Sequence, residues 1–508
     1  MIKFKLFLAL SLFCIVAFAQ SEKSQQEKPN ILFIFADDQT YNTIGAIESS
    51  PVKTPNLDRL AKQGVRFSQT YNMGSFAPAV CVASRAMLIT GSFLWKAAAY
   101  SGKGSNHSDP NAPRIQQDYT IAEKTPEAYW PEYLKQAGYE TYMTGKWHIN
   151  TDAAKIFDHT TNVRGGMPKQ SKQRYERDFE EGKADIWSPY DKNMGGFWEG
   201  DKHWSEVLGD DAIDFLHQAK ESENPFFMYL AFNAPHDPRQ SPKRFVDMYP
   251  IDEIEVPENF LPEYPYNEYA GSGRTLRDEK LAPFPRTEYS VKVNRQEYYA
   301  IITHMDEQIG RIMDALEATG KADNTYVFFT ADHGLAVGEH GFMGKQNMYD
   351  CSMRVPLIMK GAGLEPGKIV DAPVYLQDIM ATTLDLAEIK KPEQIDFNSL
   401  LPLATGETDS SVYNGIYGAY FGSQRMIRTD NYKMIVYPAA NKVRLYDIIN
   451  DPLEQHDLAE SEPKPIKLLK ELFKQYGQLQ KQMDDPVDIT DAFNNFISGV
   501  PAPSLRNK

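Results

Sequence analysis

Five short, largely apolar runs, at residues 30–35, 138–143, 225–232, 325–330 and 355–359, constrain this chain more than any other feature. Runs this short and this apolar read as strands buried on both faces. Helical spacing of apolar residues fills 130–137, 210–219 and 294–319 between them. Strands alternating with helices in this way predict an α/β fold whose sheet is mostly parallel and flanked by helices. In such sheets ligands bind beyond the carboxyl ends of the strands. Asp37, His148, His236 and Asp332 each follow an apolar run at that end. The pattern points to one site before any motif is considered.

Two long stretches fall outside the sheet pattern. Residues 151–204 are polar and rich in tryptophan and tyrosine, and residues 237–290 hold eight prolines among many aromatics. Their aromatic content favours ordered walls of a substrate pocket over free linkers. Near residue 405 the character changes again. Residues 414–421, 425–428, 432–437 and 443–448 read as short strands parted by Asp430-Asn431 and Ala440-Asn441, which predicts a small antiparallel sheet. Leu468, Leu469, Leu472, Phe473, Tyr476 and Leu479 follow helical spacing and should pack on it. A chain of 508 residues exceeds one ordinary core. The expected division is a leader at 1–19, a main domain at 20–405 and a smaller domain at 406–508.

The leader reads as a secretory signal, with Lys3 and Lys5 before an apolar stretch and Ala17-Phe18-Ala19 as a small-x-small cleavage site. Its apolar stretch is too short to span a membrane comfortably. Phe13 before Cys14 is bulky where a lipobox wants a small residue. An exported protein, periplasmic or secreted, is expected. The formal charge of −15 argues against nucleic acid and against a polybasic membrane anchor, so an anionic substrate would need a local basic pocket. Cleavage would leave Cys81 and Cys351, which could form one disulfide unless Cys81 is modified.

Cys81-Val-Ala-Ser-Arg85 lies between an irregular small-residue stretch and a helical pattern starting near Ser84. A cysteine near a helix N-terminus, with Arg85 reaching back to it, is a polar atom at an anion site. The stretch resembles the Cys-x-Pro/Ala-Ser-Arg signature of type I sulfatases, whose cysteine is oxidised to formylglycine. Four further stretches match that family in order: Ile34-Phe-Ala-Asp-Asp-Gln39, Gly145-Lys-Trp-His148, Ala234-Pro-His-Asp-Pro238 and Ala331-Asp-His-Gly334, the last followed by Gly344-Lys345. The C-terminal part, with Leu445-Tyr-Asp447 and Asp451-Pro452, resembles the family's smaller domain. The chain is identified as similar to exported bacterial polysaccharide sulfatases, which implies an alkaline-phosphatase-like fold.

The resemblance implies one calcium ion held by Asp37, Asp38, Asp332 and His333 together with residue 81. Adjacent aspartates more often cap a turn, but three carboxylates and an imidazole at strand ends form an oxygen-dominated cation site. Histidine in the fourth position, often asparagine in relatives, also suits zinc or manganese. The resemblance further implies Lys146 and Lys345 on the sulfate oxygens, His236 as proton donor to the leaving oxygen, His148 as the base that releases sulfate, and Arg85 orienting residue 81. His203, Arg239 and His107 are further candidates for substrate contact. Ala83 stands where proline is commoner. A formylglycine-generating or anaerobic sulfatase-maturating enzyme is the implied partner. Sulfated carbohydrate, either an algal polysaccharide such as ulvan or carrageenan or a glycosaminoglycan, is the expected substrate. A phosphonate monoester or phosphodiester hydrolase of the same superfamily is the alternative, and a catalytically dead carbohydrate-binding protein is the reading from another class.

Overall fold

The first apolar run becomes the middle of an eight-stranded sheet. In the computed structural model, which describes residues 27–101, 119–168 and 172–503, the sheet strands are β1 (Asn30–Asp37), β2 (Val65–Phe67), β3 (Glu140–Lys146), β4 (His159–Arg164), β5 (Phe226–Pro235), β6 (Thr325–Ala331), β7 (Leu357–Lys360) and β8 (Ile369–Val370). Their order is β8-β2-β7-β6-β1-β5-β3-β4. All residues of β1 and β5 are buried, which is why neither run tolerates alternating polar residues. β1 pairs parallel with β6 and with β5, and β5 pairs parallel with β3. β7 runs antiparallel to β6. Four strands thus end at one edge of the sheet. The expected leader and His107 lie outside the described residues.

Three strands depart from the expectation. β4 lies inside the stretch 151–204 that the sequence places outside the sheet. It is a sheet edge paired only with β3, its residues are half-exposed or exposed and all but Val163 are polar, and an apolar run is therefore not required of it. β2 and β8 are only three and two residues long, too short to show a strand pattern. The helix around Arg85 also starts earlier than its sequence pattern: α1 (Val80–Thr90) opens at Val80, so Cys81 sits in its first turn. Ala77-Pro78-Ala79 has the composition of a loop, and the helix begins directly after it. α2 (Trp204–Lys220) and α3 (Glu288–Thr319) are both longer than the sequence spacing marks, and they pack on each other and on β5.

The second sheet is antiparallel and holds β9 (Ile416–Tyr420), β10 (Gln424–Arg428), β11 (Tyr432–Tyr437) and β12 (Lys442–Asp447). α4 (Ile466–Gln482) packs on it, as its apolar stripe requires. α5 (Thr490–Ile497) follows, and its Phe493 stacks on Phe473 of α4 with ring centroids 3.9 Å apart. One further strand comes from far away in sequence: Gly74–Ser75 pairs parallel with β9. The segment leading into α1 is therefore the edge of the second sheet. No helix among the described residues is long and apolar enough to cross a membrane.

Candidate functional site

The residues just beyond the four converging strand ends face one another. Asp37 ends β1 and Asp38 follows it, Lys146 ends β3, His236 follows β5, and Asp332 and His333 follow β6. α1 brings Cys81 and Arg85 to the same edge. Each of these residues, and Lys345, is at most 3% exposed. His148 is half-buried beside them. Asp38 and His148 both hold left-handed backbone, at φ 70° and 58°, which non-glycine residues adopt only where their surroundings impose it. Gly145 has φ 91°, and a Cβ there would overlap the carbonyl oxygen of Ala231 on β5. Close approach of that backbone is what lets Lys146 reach the site.

Carboxylates and cations interlock. Lys146 pairs with Asp37 Oδ2. Lys345 Nζ donates to both oxygens of Asp38 at 2.8 Å and stands 3.7 Å from Cys81 Sγ. Arg85 donates from Nε to Asp332 Oδ2 at 3.1 Å and from NH1 to the carbonyl of Lys146 at 3.0 Å, with its guanidinium over the Phe35 ring. Asp332 Oδ1 accepts the backbone N–H groups of Asp38 and His333 at 3.1 and 3.0 Å. His236 turns Nδ1 to Asp237 Oδ1 at 2.9 Å and Nε2 toward Asp38 Oδ2 at 3.7 Å.

A cation fits this arrangement. Asp37, Asp38, Cys81 and His333 each offer one ligand atom, all within 4.8 Å of one another. Asp37 Oδ1 and His333 Nε2 are buried without a well-formed hydrogen bond, their nearest charged neighbours being Arg85 NH2 at 3.7 Å and Asp38 Oδ1 at 3.1 Å, and a cation would complete both. Asp332 stands outside this tightest group, because its two oxygens already hold Arg85 and two backbone N–H groups.

The charges set opposite tendencies on neighbouring groups. Burial works to raise the Cys81 pKa, yet Lys146 and Lys345 hold the thiol well below its ordinary value. Burial would lower His236, but Asp38, Asp237 and Asp37 push it up to about 10, so the imidazole is protonated. Burial holds His148 below its ordinary value, so that imidazole is neutral. A proton donor and a proton acceptor flank one nucleophilic position.

Two sequence candidates are not brought into this cluster. His203 is the cap of α2, where its Nδ1 accepts the N–H of Ser205 at 3.1 Å and its ring packs 4.8 Å from that of His304. Arg239 is 1% exposed and donates to Asn294 of α3 at 3.2 Å, which leaves it no surface for substrate. Cys351 is free and half-buried, and Cys81 is free as well, so the two form no disulfide. Conversely, Asp237, Arg277, Asp278 and Gln346 belong to the site and carry no role in the sequence reading. Asp237 holds His236, and Tyr175 in turn donates to Asp237. Asp237 lies inside a quoted motif, and its place beside a histidine was the available signal.

The family model named Sulfatase matches residues 29–389, and the model named N-sulphoglucosamine sulphohydrolase, C-terminal, matches residues 338–482. An N-acetylglucosamine-6-O-sulfatase of Bacteroides thetaiotaomicron is 25% identical over 93% of this chain and 91% of its own. An ulvan-active sulfatase of Formosa agariphila is 26% identical over 95% of this chain and 88% of its own. A solved structure of a protein with its substrate D-glucosamine-2-N,6-O-disulfate matches with a TM-score of 0.67 at 25% identity, covering 91% of this chain and 99% of that one.

Proposed function

Because the chain belongs to the sulfatase family and is a sulfuric ester hydrolase, we propose that it removes sulfate from a sulfated carbohydrate outside the cytoplasm. The carbohydrate reading is supported by relatives acting on N-acetylglucosamine sulfate and ulvan, and by the glucosamine disulfate bound in the similar structure. Export rests on the signal-like residues 1–19.

Cys81 is the position for formylglycine, whose hydrate supplies an oxygen nucleophile and a second hydroxyl. Asp37, Asp38, His333 and residue 81, with Asp332 alongside, would hold a calcium ion, which when bound stabilises negative charge on oxygens near it. Lys146 and Lys345 flank residue 81 and grip the sulfate oxygens, where fixed buried cations act most strongly. His236 donates its proton to the ester oxygen of the departing sugar. His148 accepts a proton from residue 81, and Arg85 keeps that side chain aligned while anchoring Asp332 and the Lys146 backbone.

One observation carries the reading: Cys81 lies in the first turn of α1 beside two lysines, two histidines and the carboxylates of Asp37 and Asp38. The test is mass spectrometry of the Cys81 peptide from protein co-expressed with a formylglycine-generating enzyme, together with sulfate release from sulfated oligosaccharides. Aldehyde at residue 81 accompanied by sulfate release is expected. Sulfate release by protein with an intact thiol at Cys81 would overturn the mechanism. A fully converted protein inactive on every sulfated saccharide but active on an aryl sulfate would overturn the carbohydrate assignment.

A further inference from the structure

Arg277 is a partly exposed cation beside the site. Its side chain is 40% exposed, whereas Arg85, Lys146 and Lys345 are buried. Its NH2 stands 3.5 Å from His236 Nε2 and 3.7 Å from Asp237 Oδ1. Asp278 accepts its Nε and NH2 at 2.9 and 2.6 Å. Asp278 is itself tied by Oδ2 to Gln346 Nε2 at 2.9 Å, and Gln346 Oε1 accepts the backbone N–H of Lys345 at 3.1 Å. The guanidinium is thereby fixed to the same backbone that carries a sulfate-gripping lysine. One edge is held by Asp278, and NH1 makes no hydrogen bond among the described residues.

We propose that Arg277 binds a second anionic group of the substrate, a carboxylate or another sulfate, on the sugar whose sulfate is removed. The inference rests on the sulfatase reading above. His236 Nε2 faces the leaving oxygen in that reading, so NH1 of Arg277 meets substituents close to the sulfated carbon. The free NH1 group of a charged guanidinium donates more strongly to an anionic oxygen of carboxylate or sulfate than to a neutral hydroxyl. The two acids beside Arg277 do not remove its purpose, because Asp237 also holds His236 and Asp278 also holds Gln346. A chain with a formal charge of −15 has no general attraction for polyanions, so such recognition must be local.

The test uses full-length matured protein and two matched substrate pairs. One pair is a sulfated disaccharide bearing a uronate and its carboxyl-reduced form, and the other is a disulfated disaccharide and its monosulfated form. Wild type should prefer the extra anion in at least one pair by about tenfold or more in kcat/KM, the scale of one charge-assisted hydrogen bond. R277A should reduce that preference to less than about twofold, chiefly through KM, and R277K should keep part of it. Which pair responds tells carboxylate from sulfate. Wild type with no preference in either pair, or R277A with the preference intact, would overturn the inference while leaving carbohydrate hydrolysis in place. Aryl sulfate turnover without release from any saccharide would remove both.

Discussion

His236 and His148 are two imidazoles on one nucleophilic position, and their surroundings drive them apart. Asp38, Asp237 and Asp37 make His236 an acid, and burial without a carboxylate partner leaves His148 neutral. The two should therefore fail differently. Loss of an acid matters most when the leaving oxygen is a poor anion, as a sugar alkoxide is, and least when it is a nitrophenolate. H236Q should lower kcat on a sugar sulfate by about 10²- to 10⁴-fold and on 4-nitrophenyl sulfate by clearly less. In the proposed mechanism His148 acts after the leaving group has gone, so the loss in H148Q should be the same on both substrates. Steady-state kinetics of matured variants on the two substrates reads the difference, and equal losses for H236Q would remove its role as acid.

Elements as well as residues carry charge decisions. Between β6 and β7 the chain places His340 at φ 52°, with its ring stacked 3.7 Å from that of Tyr349 and its backbone N–H on the Asn259 carbonyl at 2.8 Å. Burial, with Lys433 and Arg444 nearby, pushes its pKa down to about 3. The unfolded chain takes up the proton near pH 6.5 and the folded one does not, so folding loses stability as pH falls from 6.5 toward 3. Across that window His340 contributes a loss of about 1.4 kcal/mol per pH unit at most. H340N keeps a residue that tolerates left-handed backbone and removes the titration. Thermal melts from pH 7 to 4.5 should show the gap between wild type and H340N narrowing as pH falls, and a constant gap would refute the assignment. Element by element, burial decided what could be read in advance. β1, β5 and β6 were legible because a strand covered on both faces must be apolar, whereas β3, with Glu140, Thr141, Thr144 and Lys146, shows that pattern only weakly. β4 was not, because an edge strand is free to be polar, and α5 was missed because eight residues give little periodicity.

At the scale of the whole molecule, the site was legible wherever its residues follow strand ends, since a parallel sheet gathers those ends without further instruction. Arg277 was illegible for the opposite reason. Its position beside His236 depends on the path of the proline-rich stretch 237–290, which no periodicity encodes. The join between the two sheets was equally hidden, because Gly74–Ser75 is too short to show a strand pattern, yet it has a mechanical consequence. Ala419 donates to the Met73 carbonyl at 3.1 Å and Phe421 to the Ser75 carbonyl at 2.9 Å, so the second sheet holds the segment that leads into Cys81. A second tie lies after α1, where Trp95 Nε1 donates to Tyr417 of β9 at 2.8 Å, and Arg425 of β10 lies over the Trp95 ring and pairs with Asp485 at 2.6 Å. Both ends of the segment around Cys81 are thus fastened to the second sheet. Residues 406–503 should not melt before the rest, and calorimetry of the full chain should give one cooperative transition. Ending the chain at residue 405 would expose the apolar surface that β9 and β10 cover and free the backbone before Cys81, so that protein should be aggregated and inactive. Two resolved transitions, or a soluble truncated protein that still hydrolyses sulfate esters, would show that the second sheet is dispensable to the geometry of residue 81.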